Sequence, residues 1–254
     1  MADPLLQIRG LTKRFGGVLA SDGISLDVPA GELHAVIGPN GAGKSTLIGE
    51  LAGEISPDAG RILFNGLDIT HLPTHRRSAL GLARSFQITS LFPDFTVLDN
   101  VALAVQAHAG HSFRFWRRAR NEVKLRGPAH AALARVGLES RADALCANLS
   151  HGEHRQLEIA MALATAPRMF LLDEPMAGMG PDESARMIAL LGELKREQTI
   201  LLIEHDMDAV FRLADRITVL VDGRVIASGP PGDVRADAAV RQAYLGSLEA
   251  RHHG

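Results

Sequence analysis

At the beginning of the chain, short segments in which apolar residues run together or alternate with polar ones are separated by turns that contain glycine or proline. Residues 5–9 and 24–28 have the short apolar or alternating pattern of strands. Residues 61–64 predict a further strand, which is followed by the tight-turn pair Asn65-Gly66. We expect these strands to form an antiparallel flank beside the apolar run of residues 33–37.

A second group of apolar runs lies in the last third of the chain. Residues 168–172, 199–203 and 217–221 each predict a buried strand, and residues 182–196 predict a helix between the first two. This alternation is typical of a parallel sheet with crossover helices. Residues 224–227 follow a turn and predict a terminal hairpin.

The middle of the chain has a helical pattern. Between residues 96 and 136 strand signals disappear, and alanine, leucine and charged residues recur at helical spacing. We therefore predict an α/β fold with two parts. Residues 1–88 and 166–254 form a core with a mixed or parallel sheet and an antiparallel β flank, and residues 89–165 form an inserted helical subdomain.

Composition narrows the functional classes. Hydrophobic residues make up 46% and aromatic residues only 4%, which fits an aliphatic α/β core. A formal net charge of −2 argues against a surface built as a whole to bind nucleic acid.

Cys146 is the only cysteine, so an intrachain disulfide is excluded and a reducing, cytoplasmic setting is expected. With no apolar run near the roughly 18 residues that span a bilayer and no signal-peptide pattern at the start, membrane contact is expected only through a partner.

One continuous motif predicts a nucleotide site. The run directly after residues 33–37 reads Gly38-Pro39-Asn40-Gly41-Ala42-Gly43-Lys44-Ser45, which is a P-loop. Its backbone N–H groups would surround phosphate oxygens, Lys44 would reach the β and γ phosphates, and the Ser45 hydroxyl would bind Mg²⁺. A helix predicted from Thr46 to residue 52 adds its positive end to the site.

Two acidic residues end the apolar strand of residues 168–172. In a P-loop protein the strand-end aspartate supports Mg²⁺, which makes Asp173 the candidate metal ligand. Glu174 would lie near the γ-phosphate, where a carboxylate accepts a proton from the attacking water or orients it. Alone, the two acids could equally begin an ordinary loop.

A third motif separates this chain from most P-loop proteins. Residues 149–153 read Leu-Ser-His-Gly-Glu and precede a predicted helix. Here the sequence resembles the ATP-binding subunits of ATP-binding cassette (ABC) transporters, whose signature motif is Leu-Ser-Gly-Gly-Gln or a close variant. The resemblance implies that Ser150 and Gly152 form a second anion site for the ATP of another subunit. Two subunits would then enclose two Mg²⁺-bound ATP molecules head to tail.

The order of the other motifs extends the resemblance over nearly the whole chain. It implies that Phe15 stacks under adenine, although a single aromatic residue could equally belong to the core. It also implies that Gln87 senses Mg²⁺ and the attacking water, and that His205 contacts the γ-phosphate. Residues 177–181 correspond to the loop that touches the opposite subunit, but Gly180 stands where asparagine or aspartate is usual.

Several segments resemble one branch of the family. Residues 87–92, 149–153, 203–207 and 243–246 look like the larger ATPase subunit of branched-chain amino-acid importers, the LivG-like group, whose relatives also serve urea and short amides. This resemblance implies a second ATPase subunit, identical or related, two membrane permease subunits, and indirectly a periplasmic solute-binding protein. The chain would lie on the inner face of the cell membrane.

Other interpretations stay open on the sequence. The segment 111–126 has six basic residues and one acid, which fits either packing with a solvated basic face or contact with a membrane surface. The ATPase of a lipopolysaccharide or lipid exporter is the main alternative function. A soluble ABC protein of DNA repair or translation usually has two cassettes or a long coiled-coil insertion, which this chain lacks, and a P-loop kinase leaves the Ser150 motif unexplained.

Overall fold

The computed structural model describes residues 3–84, 91–108 and 123–249. Their strands form two sheets, as the sequence predicts. Four strands form an antiparallel sheet in the order β2-β1-β4-β5: β1 (Leu6–Phe15), β2 (Val18–Val28), β4 (Ala59–Phe64) and β5 (Leu67–Asp68). The antiparallel flank is confirmed, but β1 continues six residues beyond its predicted end at residue 9. Irregular register after Ile8 lets the strand continue past Gly10, whose φ is +58°.

The second sheet has six strands in the order β10-β9-β3-β8-β7-β6. Neighbouring strands are parallel except for the antiparallel pair β9 and β10, so the predicted mixed core sheet is confirmed. The strands are β3 (Leu33–Ile37), β6 (Leu82–Arg84), β7 (Met169–Asp173), β8 (Thr199–Ile203), β9 (Arg216–Val221) and β10 (Arg224–Gly229).

Helices flank the six-stranded sheet. They are α1 (Lys44–Ala52), α2 (Thr74–Ala79), α6 (Pro181–Leu194), α7 (Met207–Leu213), α8 (Pro231–Ala236) and α9 (Ala238–Glu249). Helix α1 begins two residues earlier than predicted, because Gly43 adopts a left-handed conformation at its N-cap. At its other end, buried Arg77 donates hydrogen bonds to the carbonyl oxygens of Glu50 and Leu51, at 2.6 and 2.7 Å.

The predicted helical character of the middle of the chain is confirmed for the described residues. Helices α3 (Val97–His108), α4 (Val123–Arg135) and α5 (His151–Leu163) pack against one another. Their apolar side chains join one face of the six-stranded sheet in a single core cluster, while the other face packs with α1 and the antiparallel sheet in a second cluster. The division into residues 1–88 with 166–254 and residues 89–165 stays a prediction.

Across the described ranges, none of the helices combines the length and the apolar character needed to cross a membrane.

Candidate nucleotide-binding site

The P-loop, Asp173, Glu174 and His205 meet at one edge of the six-stranded sheet. Strands β3, β8 and β7 are parallel neighbours, so their carboxyl ends lie side by side. The P-loop follows β3, Asp173 ends β7 with Glu174 next to it, and His205 comes two residues after β8. This edge is where open α/β sheets bind ligands.

The P-loop is packed so closely that two of its positions accept only glycine. A Cβ atom on Gly43, whose φ is +100°, would lie 2.2 Å from the carbonyl oxygen of Ala20. A Cβ atom on Gly38 would lie 2.2 Å from the carbonyl oxygen of Leu220. Strands β2 and β9 therefore fix the backbone of the loop from behind.

A turn from the far end of the chain also supports the P-loop. Gly223, in the turn between β9 and β10, donates its N–H to the carbonyl oxygen of Ala42 at 3.0 Å. The Gly223 carbonyl in turn accepts the N–H of Asp22 at 2.9 Å. The C-terminal hairpin thus connects the P-loop to the antiparallel sheet, a contact that the sequence pattern did not indicate.

Lys44 lies inside the loop rather than in solvent. Its Nζ donates hydrogen bonds to the carbonyl oxygens of Gly38 at 2.7 Å and Pro39 at 3.0 Å, and only 7% of the residue is exposed. Burial lowers the pKa of Lys44, while the charges of Glu174 and Asp173 act in the opposite direction. One ammonium and two carboxylates therefore share the site.

The other P-loop positions surround this lysine. Asn40 and Gly41 are exposed, Ala42 is buried, and Ser45 and Thr46 lie in the first turn of α1. Ser45 is exposed, so its hydroxyl is accessible to a ligand at the helix N-terminus.

Asp173 is buried at the end of β7. Its Oδ2 atom lies 3.5 Å from Nη2 of Arg84, the last residue of β6. Burial raises the pKa of Asp173, and the Arg84 charge acts in the opposite direction. The sequence did not single out Arg84, because a three-residue strand gives little periodic signal.

Glu174 and His205, the two predicted groups for the attacking water, lie beside each other. Glu174 Oε1 is 3.7 Å from His205 Nδ1, and both side chains are partly exposed, by 41% and 60%. The backbone N–H of Glu174 donates to the carbonyl oxygen of Ile203 at 2.9 Å, which holds the end of β7 to β8. The geometry thus brings together a carboxylate and an imidazole that are both accessible.

The signature motif begins helix α5. Ser150 is the N-cap, and its Oγ accepts the N–H of Glu153 at 3.2 Å while the Glu153 carboxylate accepts the N–H of Ser150 at 2.8 Å. This capping box fixes the helix N-terminus. A Cβ atom on Gly152 would lie 2.7 Å from Oε1 of Glu183, so a larger residue there would have to displace the end of the Glu183 side chain.

A polar cleft of about 440 Å³ is lined by Ser150, Gly152 and Glu183 together with residues of α5 and α6. Within the described parts of the chain, no hydrogen bond or ion pair joins Ser150 or Gly152 to the P-loop. The two predicted anion sites of one chain are therefore separate features of the fold.

His151 and Gly180 differ from the residues that are usual in the motifs of the family, and each has a defined position in the structure. His151 Nε2 lies 3.1 Å from the carbonyl oxygen of Ala177, so this histidine connects the signature helix to the loop before α6. Gly180 is the N-cap of α6, and without a side chain it presents only backbone atoms at this position.

Phe15 and Gln87 complete the predicted set. Phe15 ends β1 with 49% of its surface exposed, and Lys13 Nζ lies 5.4 Å from its ring centroid. The alternative that Phe15 is a core residue is therefore wrong. Gln87 lies outside the described residues.

Comparison with known proteins agrees with this arrangement. The family model of the ABC transporter matches residues 21–177, and the model of the branched-chain amino acid ATP-binding cassette transporter matches residues 224–250. The chain is 38% identical to the high-affinity branched-chain amino acid transport ATP-binding proteins BraF of Pseudomonas aeruginosa and LivG of Escherichia coli K12. Each comparison covers 97% of this chain and 99% of the relative.

The fold of this chain is also similar to that of a solved ATP-binding cassette. The crystal structure of an ATP-binding cassette of an ABC transporter in its ADP conformation superposes with a TM-score of 0.85 and 31% identity, over 96% of this chain and 100% of that one. With family models, full-length relatives and fold in agreement, the chain belongs to the ABC transporter family as an ATP-binding cassette, in the branch of the branched-chain amino acid transport ATP-binding proteins.

Proposed function

We propose that this chain is the ATP-hydrolysing subunit of a membrane importer for branched-chain amino acids or related small solutes such as urea and amides. The observation that carries the proposal is the meeting of the P-loop, Asp173, Glu174 and His205 at one sheet edge. The full-length relatives, which are named for branched-chain amino acid transport, support the choice of solute class.

The P-loop binds the phosphates of ATP. Its N–H groups and the positive end of α1 surround the phosphate oxygens, and Lys44 exchanges its two carbonyl partners for the β and γ phosphates. The exposed ring of Phe15 stacks on adenine.

The oxygen donors present fit Mg²⁺. Within the described residues, no group of three or more histidine, cysteine, aspartate or glutamate side chains is arranged to hold a metal ion. Mg²⁺ is usually held by one or two protein oxygens together with substrate phosphates. The buried Asp173 carboxylate and the exposed Ser45 hydroxyl are suitable donors of this kind. Gln87 is the further proposed ligand. When bound, the ion would neutralise negative charge on the phosphates.

Hydrolysis is an in-line attack of water on the γ-phosphate. Glu174 orients this water or accepts its proton, and His205, 3.7 Å away, contacts the γ-phosphate. Ser150 and Gly152 donate to the γ-phosphate in the facing subunit, which is why they do not contact the P-loop of their own chain. The working unit is a head-to-tail dimer of this chain with itself or with a related ATPase.

The helical part offers a surface for the permease. Phe92 and Phe95 are 50% and 43% exposed with ring centroids 5.2 Å apart, and Leu145 nearby is 45% exposed. Phe95 also lines a cleft of about 420 Å³ between α3 and α4. Exposed apolar groups of this kind mark protein interfaces, so we place the cytoplasmic segment of a permease here. The chain then works at the inner face of the membrane, and the periplasmic binding protein acts on it only through the permease.

The test is co-purification of this chain with its membrane partners, followed by ATPase assays with candidate solutes. We expect ATP hydrolysis that rises when leucine, isoleucine or valine is presented by the periplasmic binding protein. Stimulation by lipopolysaccharide or another lipid instead would replace import with export. ATP-dependent phosphate transfer to a small molecule by the isolated chain would favour a kinase.

A further inference from the structure

Glu204 is an enclosed carboxylate between β8 and His205. Only 1% of the residue is exposed. Among the described residues, its ion-pair contact within 4.0 Å is His205, whose Nδ1 lies 3.8 Å from Oε2. Burial raises the pKa of Glu204, and hydrogen bonds from backbone N–H groups oppose that shift. A buried carboxylate needs such partners, and here the main chain provides them.

The two oxygens of Glu204 serve two different loops. Oε1 accepts the N–H of Met176 at 3.0 Å, two residues after Glu174. Oε2 accepts the N–H of His205 at 3.0 Å and the more distant N–H of Asp206 at 3.5 Å. One rigid carboxylate therefore bridges the loop that carries Glu174 and the loop that carries His205.

The loop after β7 needs such a support. Glu174 has a φ of +47°, a left-handed conformation that is strained for a residue with a side chain. The Glu174 N–H is fixed to the Ile203 carbonyl, and Glu204 gives the next contact between the two loops, at Met176. Both ends of the short segment around Glu174 are thereby held against the end of β8.

We propose that Glu204 is a positioning residue for ATP hydrolysis, which sets the separation of Glu174 and His205 through its two backbone contacts. The inference rests on the proposed function, in which these two side chains act on the attacking water and the γ-phosphate. Glu204 is 1% exposed, and in this proposal it acts through the backbone of its neighbours rather than by contact with the substrate.

Glu204→Gln tests this role with almost no change in volume. An amide has one acceptor oxygen, so its NH₂ group must face either the Met176 N–H or the His205 N–H, and one loop loses its contact. We expect kcat to fall by between about 10-fold and 100-fold, because small misplacements of reacting groups have effects of this size. The affinity for ATP should stay within about 3-fold, since the P-loop contacts are unchanged.

Glu158→Gln is the matched control. Glu158 is another buried carboxylate, 5% exposed, but it lies in α5 and pairs with Arg155 at 3.0 Å. Its kcat should equal that of the unmutated chain. The proposal is overturned if kcat of Glu204→Gln matches that of Glu158→Gln, or if ATP affinity and kcat fall in equal proportion.

Hydrogen exchange on the unmutated full chain gives a second test that does not depend on a variant. The amides of Met176 and His205 should exchange as slowly as those inside β8, because both donate to a buried carboxylate. Fast exchange at either amide would remove the basis of the inference. An unmutated chain without ATPase activity beside its permease would refute the proposed function instead, whatever the exchange rates are.

Discussion

His205 Nδ1 lies 3.7 Å from Glu174 Oε1, although the two residues follow different strands. The neighbouring parallel strands β7 and β8 bring them together, with Asp173 in register with Ile203. A carboxylate and an imidazole at this distance can act on one water molecule between them and a phosphate.

Glu174→Gln should separate ATP binding from ATP hydrolysis. The amide keeps the size of the side chain but cannot accept a proton, so turnover should fall by about 100-fold or more, as expected for the loss of a general base. ATP affinity should stay unchanged, and the variant should accumulate as an ATP-bound dimer. Steady-state ATPase assays and size-exclusion chromatography with ATP measure both effects.

The control for this variant is Glu193→Gln, which changes an exposed glutamate of α6 in the same way. It should hydrolyse ATP at the rate of the unmutated chain and elute without a trapped dimer. Hydrolysis by Glu174→Gln at the unmutated rate would mean that another group activates the water.

A double variant should show that Glu174 and His205 act as a unit. His205→Ala alone should lower turnover strongly. The loss of turnover in the double variant should be much smaller than the product of the losses in the two single variants, because both side chains act on the same step. Single-turnover ATPase assays on the four proteins of the cycle measure this. The control is His75→Ala, at an exposed histidine of α2, whose effect on turnover should simply multiply with that of Glu174→Gln. If the losses from His205→Ala and Glu174→Gln also multiplied fully, Glu174 and His205 would act on different steps.

Gly43→Ala should damage the nucleotide site through its backbone. The φ of +100° costs of order 1–3 kcal/mol for a residue with a side chain, and the new methyl group would lie 2.2 Å from the Ala20 carbonyl oxygen. We expect a lower free energy of unfolding and a loss of ATP affinity. Denaturant unfolding and titration with a fluorescent ATP analogue check both.

Gly232→Ala is the control, because a Cβ atom there meets no atom within 4 Å. It should leave ATP affinity unchanged. If Gly43→Ala also kept full affinity, the close packing of β2 against the P-loop would have no part in phosphate binding.

Contiguous patterns in the sequence predicted much of the fold and the site. Strands β3 and β8 have the predicted bounds, 33–37 and 199–203, because every residue in them is buried and four of the five residues in each are apolar. The P-loop and the Asp173-Glu174 pair were predicted for a similar reason, since each is a short unbroken motif next to such a strand.

The contacts that support the site could not be predicted in this way. The hydrogen bond from Gly223 to Ala42 and that from Met176 to Glu204 join residues far apart in the chain. They depend on the order of strands in the sheet and on the exact turn geometry, which local periodicity does not specify. Arg84 was missed because its strand is too short to show a pattern.

A buried carboxylate behind the P-loop gives the stability of the chain a pH dependence. Glu50 in α1 has no exposed surface, and its Oε2 accepts a hydrogen bond from Ser21 Oγ at 2.7 Å. Burial raises the pKa of Glu50 to about 6 from 4.5, with the Ser21 hydrogen bond and the Lys13 charge in opposition. The folded chain therefore binds this proton more tightly than the unfolded chain.

Glu50→Gln should stabilise the protein at pH 8 and much less at pH 5. The cost of the buried charge is fully present above the folded pKa and is lost as the pH falls through about 6 toward 4.5, a change of about 1–2 kcal/mol. The amide oxygen keeps the Ser21 hydrogen bond, so the variant mimics the protonated acid at every pH. Denaturant unfolding at both pH values measures the gap between variant and unmutated chain, with Glu139→Gln, at an exposed glutamate, as the control that should show no such gap. A gap of equal size at pH 5 and pH 8 would contradict the prediction, because only a group that titrates between these values makes the gap depend on pH.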